Sequence, residues 1–336
     1  MPFNIIRNDI VRMEVDAIVN AANPELKQGS GVCGRIFAGA GTDEMTAACE
    51  AIGGCPTGNA VITPGFKLPA RYVIHAVGPV WQGGDHGEEK LLRSAYRSSL
   101  ELAYDYKLES VAFPLLSSGS FRYPYELALA VALDEINRFL FQSDMQVTLV
   151  MFDQTATALG FKLHDDLRSY IDDHYVEEYR ILNRRDPYGP WAVPSEKHRE
   201  PARKRPVAAT QLDLPLAGKL NFPKEKTFSE AVLSIIDAKG MTDVETYKRS
   251  NIDRRLFSKI RSNAGYVPSK STVLALAIGL KLSVQDAQDL LARAGFAFSP
   301  CDKRDLIVRY FLERGEHDIV RVNAALYDFD QGLLGV

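Results

Sequence analysis

Cysteine is scarce in this 336-residue chain: Cys33, Cys49, Cys55 and Cys301 are the only four, with no CxxC pair and no disulfide-like spacing. That argues against a structural zinc site and against a secreted, disulfide-stapled scaffold. No run of about 18 apolar residues occurs, so no membrane-spanning helix is expected. The opening Met1-Pro2-Phe3-Asn4 lacks the basic start and apolar stretch of a secretory signal. A large excess of one charge is missing too, the net charge being -3. With 46% hydrophobic and 25% charged residues, disorder, fibre and collagen are excluded as the main state. The expectation is a soluble, cytoplasmic protein of two domains, with no metal, no bound cofactor and no membrane partner.

The small net charge hides an asymmetry. Residues 1–179 carry 14 Lys and Arg against 24 Asp and Glu, residues 180–226 carry 11 against 5, and residues 227–336 carry 15 against 14. An acidic first part does not present a nucleic-acid surface by bulk electrostatics. The middle segment, from Asn183-Arg184-Arg185 through Arg203-Lys204-Arg205-Pro206, is basic and Pro-rich without apolar periodicity. Such a composition buries too little surface to offset chain entropy, so 180–226 reads as a flexible linker. The expected domains are therefore 1–179 and 227–336.

Residues 1–179 alternate β-rich runs with amphipathic stretches. Strands are expected at 3–6, 15–19, 60–63, 72–77, 110–116 and 147–152, with helices near 43–52, 88–105, 124–141 and 160–176. That alternation implies a three-layer α/β domain on a mixed, largely parallel sheet, whose ligands bind beyond the carboxyl ends of the strands. Two loops there suit phosphate. Gly29-Ser30-Gly31-Val32-Cys33-Gly34 precedes a helix start at Arg35-Ile36-Phe37, and Ser117-Ser118-Gly119-Ser120-Phe121 precedes Pro124 at a first helical position. Glycine lets backbone approach a ligand, and the free N–H groups of a helix N-terminus favour an anion. The first loop matches G-x-G-x-x-G, yet nine residues, Asn20 to Gln28, separate it from its strand. A dinucleotide fingerprint follows its strand directly, so the nicotinamide reading is set aside.

Those nine residues open Asn20-Ala21-Ala22-Asn23-Pro24, two asparagines at a strand's carboxyl end, each able to donate and accept. With Asn8-Asp9-Ile10, the Gly-x-Gly-Val loop, Thr57-Gly58-Asn59-Ala60-Val61-Ile62-Thr63, Ile74-His75-Ala76-Val77-Gly78-Pro79-Val80-Trp81 and Phe113-Pro114-Leu115-Leu116-Ser117-Ser118-Gly119, the chain resembles the macro domains, which bind ADP-ribose. The resemblance covers residues 3–175. It is closest to the bacterial branch that removes ADP-ribose from proteins or deacetylates O-acetyl-ADP-ribose.

The resemblance implies a set of roles. Asp9 accepts from the adenine amino group, Ile10 lines that pocket, and Phe152 packs on the adenine face. Gly31, Val32 and Cys33, with Ser117, Ser118, Gly119, Ser120 and Phe121, surround the diphosphate and distal ribose. Asn23 faces that ribose and, with Cys33, is the catalytic candidate, while Asn20 ties loop to strand and His75 is structural. The chain also departs from its branch: Cys33 replaces an Asp that handles water, Phe37 stands where a His is expected, and Arg122 replaces a Gly. Alphavirus macro domains also carry Gly-Val-Cys and resemble active mono-ADP-ribosyl hydrolases. The implied mechanism is then a water positioned by loop backbone, Asn23 and the substrate phosphate.

Residues 227–336 show helical patterning only: 228–238 capped by Ser229, 242–249, 253–261, 268–280, 283–295 and two more to residue 330. Residues 228–296 resemble the phage-repressor type of helix-turn-helix in a separate all-α domain. Its third helix would be the recognition helix, with Arg254, Arg255, Lys259 and Arg261 available to nucleic acid, and Leu256 and Ile260 facing the core. Either DNA or a protein partner suits this module, because its near-neutral charge balance does not mark a basic face. Three functions follow: an ADP-ribosyl hydrolase or deacetylase acting on ADP-ribose derivatives or ADP-ribosylated protein, a non-catalytic ADP-ribose reader, and a nucleotide-sensing regulator that binds DNA.

Overall fold

A computed structural model describes residues 3–151, 162–175 and 226–335. Six strands, β1 (Asn4–Arg7), β2 (Ala17–Ala21), β3 (Ala60–Pro64), β4 (Tyr72–Ala76), β5 (Ser110–Pro114) and β6 (Gln146–Met151), form one sheet in the order β1-β6-β5-β2-β4-β3. All neighbours are parallel except β3, which runs antiparallel to β4 at the edge. Helices α1 (Gly31–Ala40), α2 (Thr42–Ile52), α3 (Glu88–Asp105), α4 (Tyr125–Leu140) and α5 (Lys162–His174) accompany it.

The strands are apolar on both faces because both are covered. The two-residue period sends Ala17, Val19, Ile74, Val111 and Phe113 into one core with Leu92, Tyr96 and Leu129. The intervening Ile18, Val73 and Ala112 enter a second core with Ile36, Phe37 and Met45. Glu88, at the start of α3, is buried and accepts from the backbone N–H groups of Gln82, Gly84 and His86 at 3.0, 3.0 and 2.7 Å. Burial opposes its charge, but its own backbone N–H together with those three donors outweighs that and holds the carboxyl down at about 2.

The C-terminal domain is all-α: α6 (Phe228–Lys239), α7 (Asp243–Arg249), α8 (Arg254–Ser262), α9 (Lys270–Gly279), α10 (Val284–Arg293), α11 (Lys303–Glu313) and α12 (Ile319–Asp328). Each begins on a Thr, Asp or Ser whose side chain accepts from a first-turn N–H. At α6 that cap is Thr227, reciprocated by Glu230, and not Ser229, whose hydroxyl instead donates to the Asn263 carbonyl at 3.0 Å. On α8 the buried residues are Phe257 and Ile260, with Leu256 only half-buried.

The two domains meet through specific contacts. Asn251, in the α7–α8 turn at φ 53°, accepts from Phe3 N at 2.6 Å and donates to the Phe3 carbonyl at 3.0 Å, and within its own domain donates to the Leu334 carbonyl at 3.2 Å. Lys248 Nζ donates to the Phe141 and Ser143 carbonyls at 3.2 and 3.4 Å and lies 3.3 Å from the Asp144 carboxylate. Helix α11 packs on α5, with Tyr170 edge-on to Tyr310 at 5.2 Å. One apolar core therefore runs from Phe3 and Leu129 to Phe311 and Leu326. The expected linker, residues 180–226, lies outside the described residues but for Lys226.

Candidate functional site

A cavity of about 380 Å³ opens beyond the carboxyl ends of β2, β5 and β6. Its floor is Ala21, Ala22, Pro114, Leu115, Val150 and Met151. Ser30 to Cys33 form one wall and Ser117 to Phe121 the opposite one, with Gly78 and Tyr125 completing the lining. None of these residues carries a charge, so an anion would be met by backbone amides and by serine hydroxyls.

The first wall is more helical than its glycines suggest: α1 begins at Gly31 rather than near Arg35. Ser30 at the cap makes no side-chain hydrogen bond, which leaves the first-turn N–H groups directed to the cavity end. Gly34 is obligatory here, because a Cβ would lie 2.7 Å from the Gly29 carbonyl oxygen. In the opposite wall Ser117 and Arg122 have φ of 63° and 56°. Leu116 N donates to the buried Tyr96 hydroxyl at 3.0 Å, and Trp81 N to the Phe121 carbonyl at 2.8 Å. Pro124 is the cap of α4 rather than its first residue.

Other residues of the expected site stand apart from this lining. Asp9 caps a 3-10 turn over Ile10–Arg12, accepting from Val11 N at 3.4 Å, and is ion-paired with Arg35. Ile10 is buried in the core. Asn23 closes its own loop, accepting from Lys27 N at 2.9 Å and donating to the Lys27 carbonyl at 2.8 Å. Phe152 lies outside the described residues.

Beneath the cavity runs a buried chain that spacing along the sequence did not reveal. Asn20 Nδ2 lies 3.1 Å from His75 Nδ1 and donates to Cys33 Sγ at 3.6 Å. His75 Nε2 lies 2.9 Å from Thr63 Oγ1, whose hydroxyl reaches Met45 Sδ at 3.4 Å. This pattern puts the ring proton on Nε2, since Asn20 supplies the donor at Nδ1. Burial lowers the imidazole to about 4, so it is neutral at neutral pH. Cys33 Sγ also accepts from Gly29 N at 3.3 Å. Asn20 Oδ1 is buried and accepts no hydrogen bond among the described residues. Burial, and then neighbouring Cys33, push the Cys49 thiol up to about 11.

Comparison with known proteins settles the family. The sequence profile of the macro domain matches residues 19–132. A macro domain-containing protein of Methanosarcina mazei is 50% identical over 147 residues, 44% of this chain and 78% of that protein. The chain belongs to the macro domain family. An O-acetyl-ADP-ribose deacetylase of Citrobacter rodentium is 44% identical over 166 residues, 48% of this chain and 93% of its own length. The Oceanobacillus iheyensis macrodomain with ADP is 37% identical, covering 50% of this chain and 91% of its own, with a TM-score of 0.44. None of these matches covers more than half of the chain.

Within the macro domain, the departures from the bacterial branch acquire physical reasons. Arg122 sits at a left-handed φ that glycine adopts freely, so the position keeps its backbone geometry at some conformational cost. Phe37 is fully buried with its ring edge-on to His75 at 6.4 Å, closing the core under Cys33. Among the described residues no cluster of three or more His, Cys, Asp or Glu could hold a metal, and no helix is long and apolar enough to cross a membrane. Ala21, Ala22, Gly78, Tyr125 and Met151 line the cavity without having been expected there; the ends of β2 and β6 and the helix start after Pro124 were the signals that could have found Ala21, Ala22, Met151 and Tyr125.

Proposed function

We propose that the cavity binds ADP-ribose, with the diphosphate between the N-terminus of α1 and the Ser117–Phe121 loop, and that the chain hydrolyses an ester on the distal ribose. The substrate is ADP-ribose on an acidic side chain of a protein, or O-acetyl-ADP-ribose. One observation carries this reading: two facing backbone walls, one a helix N-terminus with no side-chain cap, at the end of a parallel sheet. The deacetylase relative supports the ester chemistry.

With Cys33 where the branch has Asp, water would be held by the loop amides and the substrate's own phosphate, Asn23 joining them only once its side chain leaves Lys27. The water adds to the ester carbonyl and the ribose oxygen leaves with a proton, giving a carboxylic acid and free ADP-ribose. Asp9, Ile10 and Phe152 would hold adenine. Calorimetry with ADP-ribose and a release assay on mono-ADP-ribosylated protein test the reading together. Binding without release leaves a reader; no binding overturns it.

Cys33→Ser separates positioning from thiol chemistry. Serine fills nearly the same space beside Asn20, so turnover is expected to stay within about threefold of wild type. Complete loss of release with binding intact would show that the thiol takes part in the reaction.

A regulator reading is favoured by the exposed Arg254, Arg255 and Lys259 on α8. Arg261 is also exposed but is paired with Asp243 at 2.6 Å, which weakens its claim on phosphate. In this reading 180–226 is a linker and α7–α8 the helix-turn-helix. Full-length protein should then bind duplex DNA with an affinity falling by about 0.9 log units per log unit of salt for each phosphate contacted. Arg254→Ala should flatten that slope by about one if the guanidinium meets phosphate. No binding at low salt leaves protein docking.

A further inference from the structure

Helix α12 of the C-terminal domain packs on α4, whose first residue lines the cavity, and on β1, which pairs with the cavity-lining strand β6. Tyr125, the first residue of α4, lines the cavity and is half-buried against the core that the two domains share. Burial and then its neighbours Asp328 and Tyr327, at the end of α12, push the Tyr125 phenol far above its ordinary value. A second link runs along the sheet. Met151 lines the cavity and is the register partner of Arg7, whose guanidinium meets Asp330, just past α12, at 3.5 Å. The strand carrying Arg7 begins beside Phe3, which Asn251 holds through two hydrogen bonds from the α7–α8 turn.

We propose that α12 is the outer support of the nucleotide cavity, so that filling the cavity and seating the helical domain on the macro domain are one linked equilibrium. This rests on the ADP-ribose reading above and adds its regulation. The ligand presses on Tyr125 and Met151, and those side chains hold their places only while α12 and its flanking residues are docked. Linkage then works both ways. Nucleotide tightens the docked state, and loosening the dock weakens the nucleotide by the same factor. The α7–α8 turn is covered from the macro domain by Phe3 in the docked state, so nucleotide would also govern how accessible that turn is to a partner.

The test uses the full chain and ADP-ribose. Saturating ADP-ribose should slow amide hydrogen exchange in residues 319–328 at least about fivefold, the lower end of ordinary allosteric coupling. Lys248→Met removes the contacts to Phe141, Ser143 and Asp144 without touching the cavity, and Asn251→Ala removes the ties to Phe3 and Leu334. Each should raise the Kd for ADP-ribose about fivefold or more, while exchange in β4 and β5 stays as in wild type. If Asn251→Ala fails to fold, Lys248→Met alone decides the matter. Unchanged exchange of α12 in saturated wild type, or an unchanged Kd in the folded variants, overturns the coupling. No ADP-ribose binding by wild type overturns the nucleotide reading, and the coupling with it.

Discussion

Gly34→Ala is expected to weaken ADP-ribose binding about tenfold or more, a change of about 1.4 kcal/mol for each factor of ten. The residue lies in the first turn of α1, where the backbone conformation itself would accept alanine. Space is what forbids it. A Cβ would stand 2.7 Å from the carbonyl oxygen of Gly29, a backbone atom with no rotamer to escape through. Either the first turn of α1 or the 29–31 segment must move by several tenths of an ångström, and both belong to the same wall. Forced overpacking of this kind typically costs about 1–3 kcal/mol. Because this side offers an anion backbone donors and no charged side chain, only the Ser30 hydroxyl beside them, a displaced turn loses its aim on the diphosphate. Calorimetry with ADP-ribose reads the effect, and unfolding in urea shows how much of it is stability. Wild-type affinity in Gly34→Ala would remove this wall from the diphosphate site.

Acidification from pH 7 to pH 4 is expected to remove roughly 3 kcal/mol of stability through His75 alone, about 1.4 kcal/mol for each unit of pKa change. Burial holds its imidazole at about 4 against an ordinary 6.5. Between those values the unfolded chain binds a proton that the folded chain refuses, so stability rises with pH across the window and falls on acidification. The contribution is complete above pH 6.5 and exhausted near 4. Glu88 acts lower: its carboxyl, held at about 2 against 4.5, contributes above 4.5 and is lost as pH falls through 2. Urea midpoints at pH 6.5 and 5 therefore isolate the histidine. His75→Gln keeps a polar group near Asn20 and Thr63 but cannot titrate, so its midpoint should change less over this interval than that of wild type. Equal changes in the two proteins would mean that the imidazole is not held neutral.

The α/β class and most strands were legible because a doubly covered strand needs an unbroken apolar run, as in Ala17-Ile18-Val19 and Val111-Ala112-Phe113. The seven C-terminal helices were legible in outline from their period and from Asp, Ser or Thr before each. Boundaries went astray where two signals competed. Glycines 29–34 read as loop, yet the chain is helical from Gly31, where the buried Cys33, Ile36, Phe37 and Ala40 anchor one face of α1 in the core. Ser229 resembled a cap, but Thr227 has Glu230 three residues on to complete a capping box.

Residue types and their order along the chain were enough to determine the macro domain family, the mixed sheet and the two glycine- and serine-rich walls, because these follow from local period and from motifs that span a few residues each. Which side chains meet was decided only by the tertiary structure. Asn20 and Cys33 are 13 residues apart, and His75 is 55 residues from Asn20, so their hydrogen-bonded chain exists only through the pairing of β2 with β4 and the lie of α1 over them. The same holds for Asn251 on Phe3, 248 residues apart. A sequence pattern shows that a residue is buried or polar; it carries no record of the partner from a distant segment that makes such burial affordable, and that partner is what a folded core supplies.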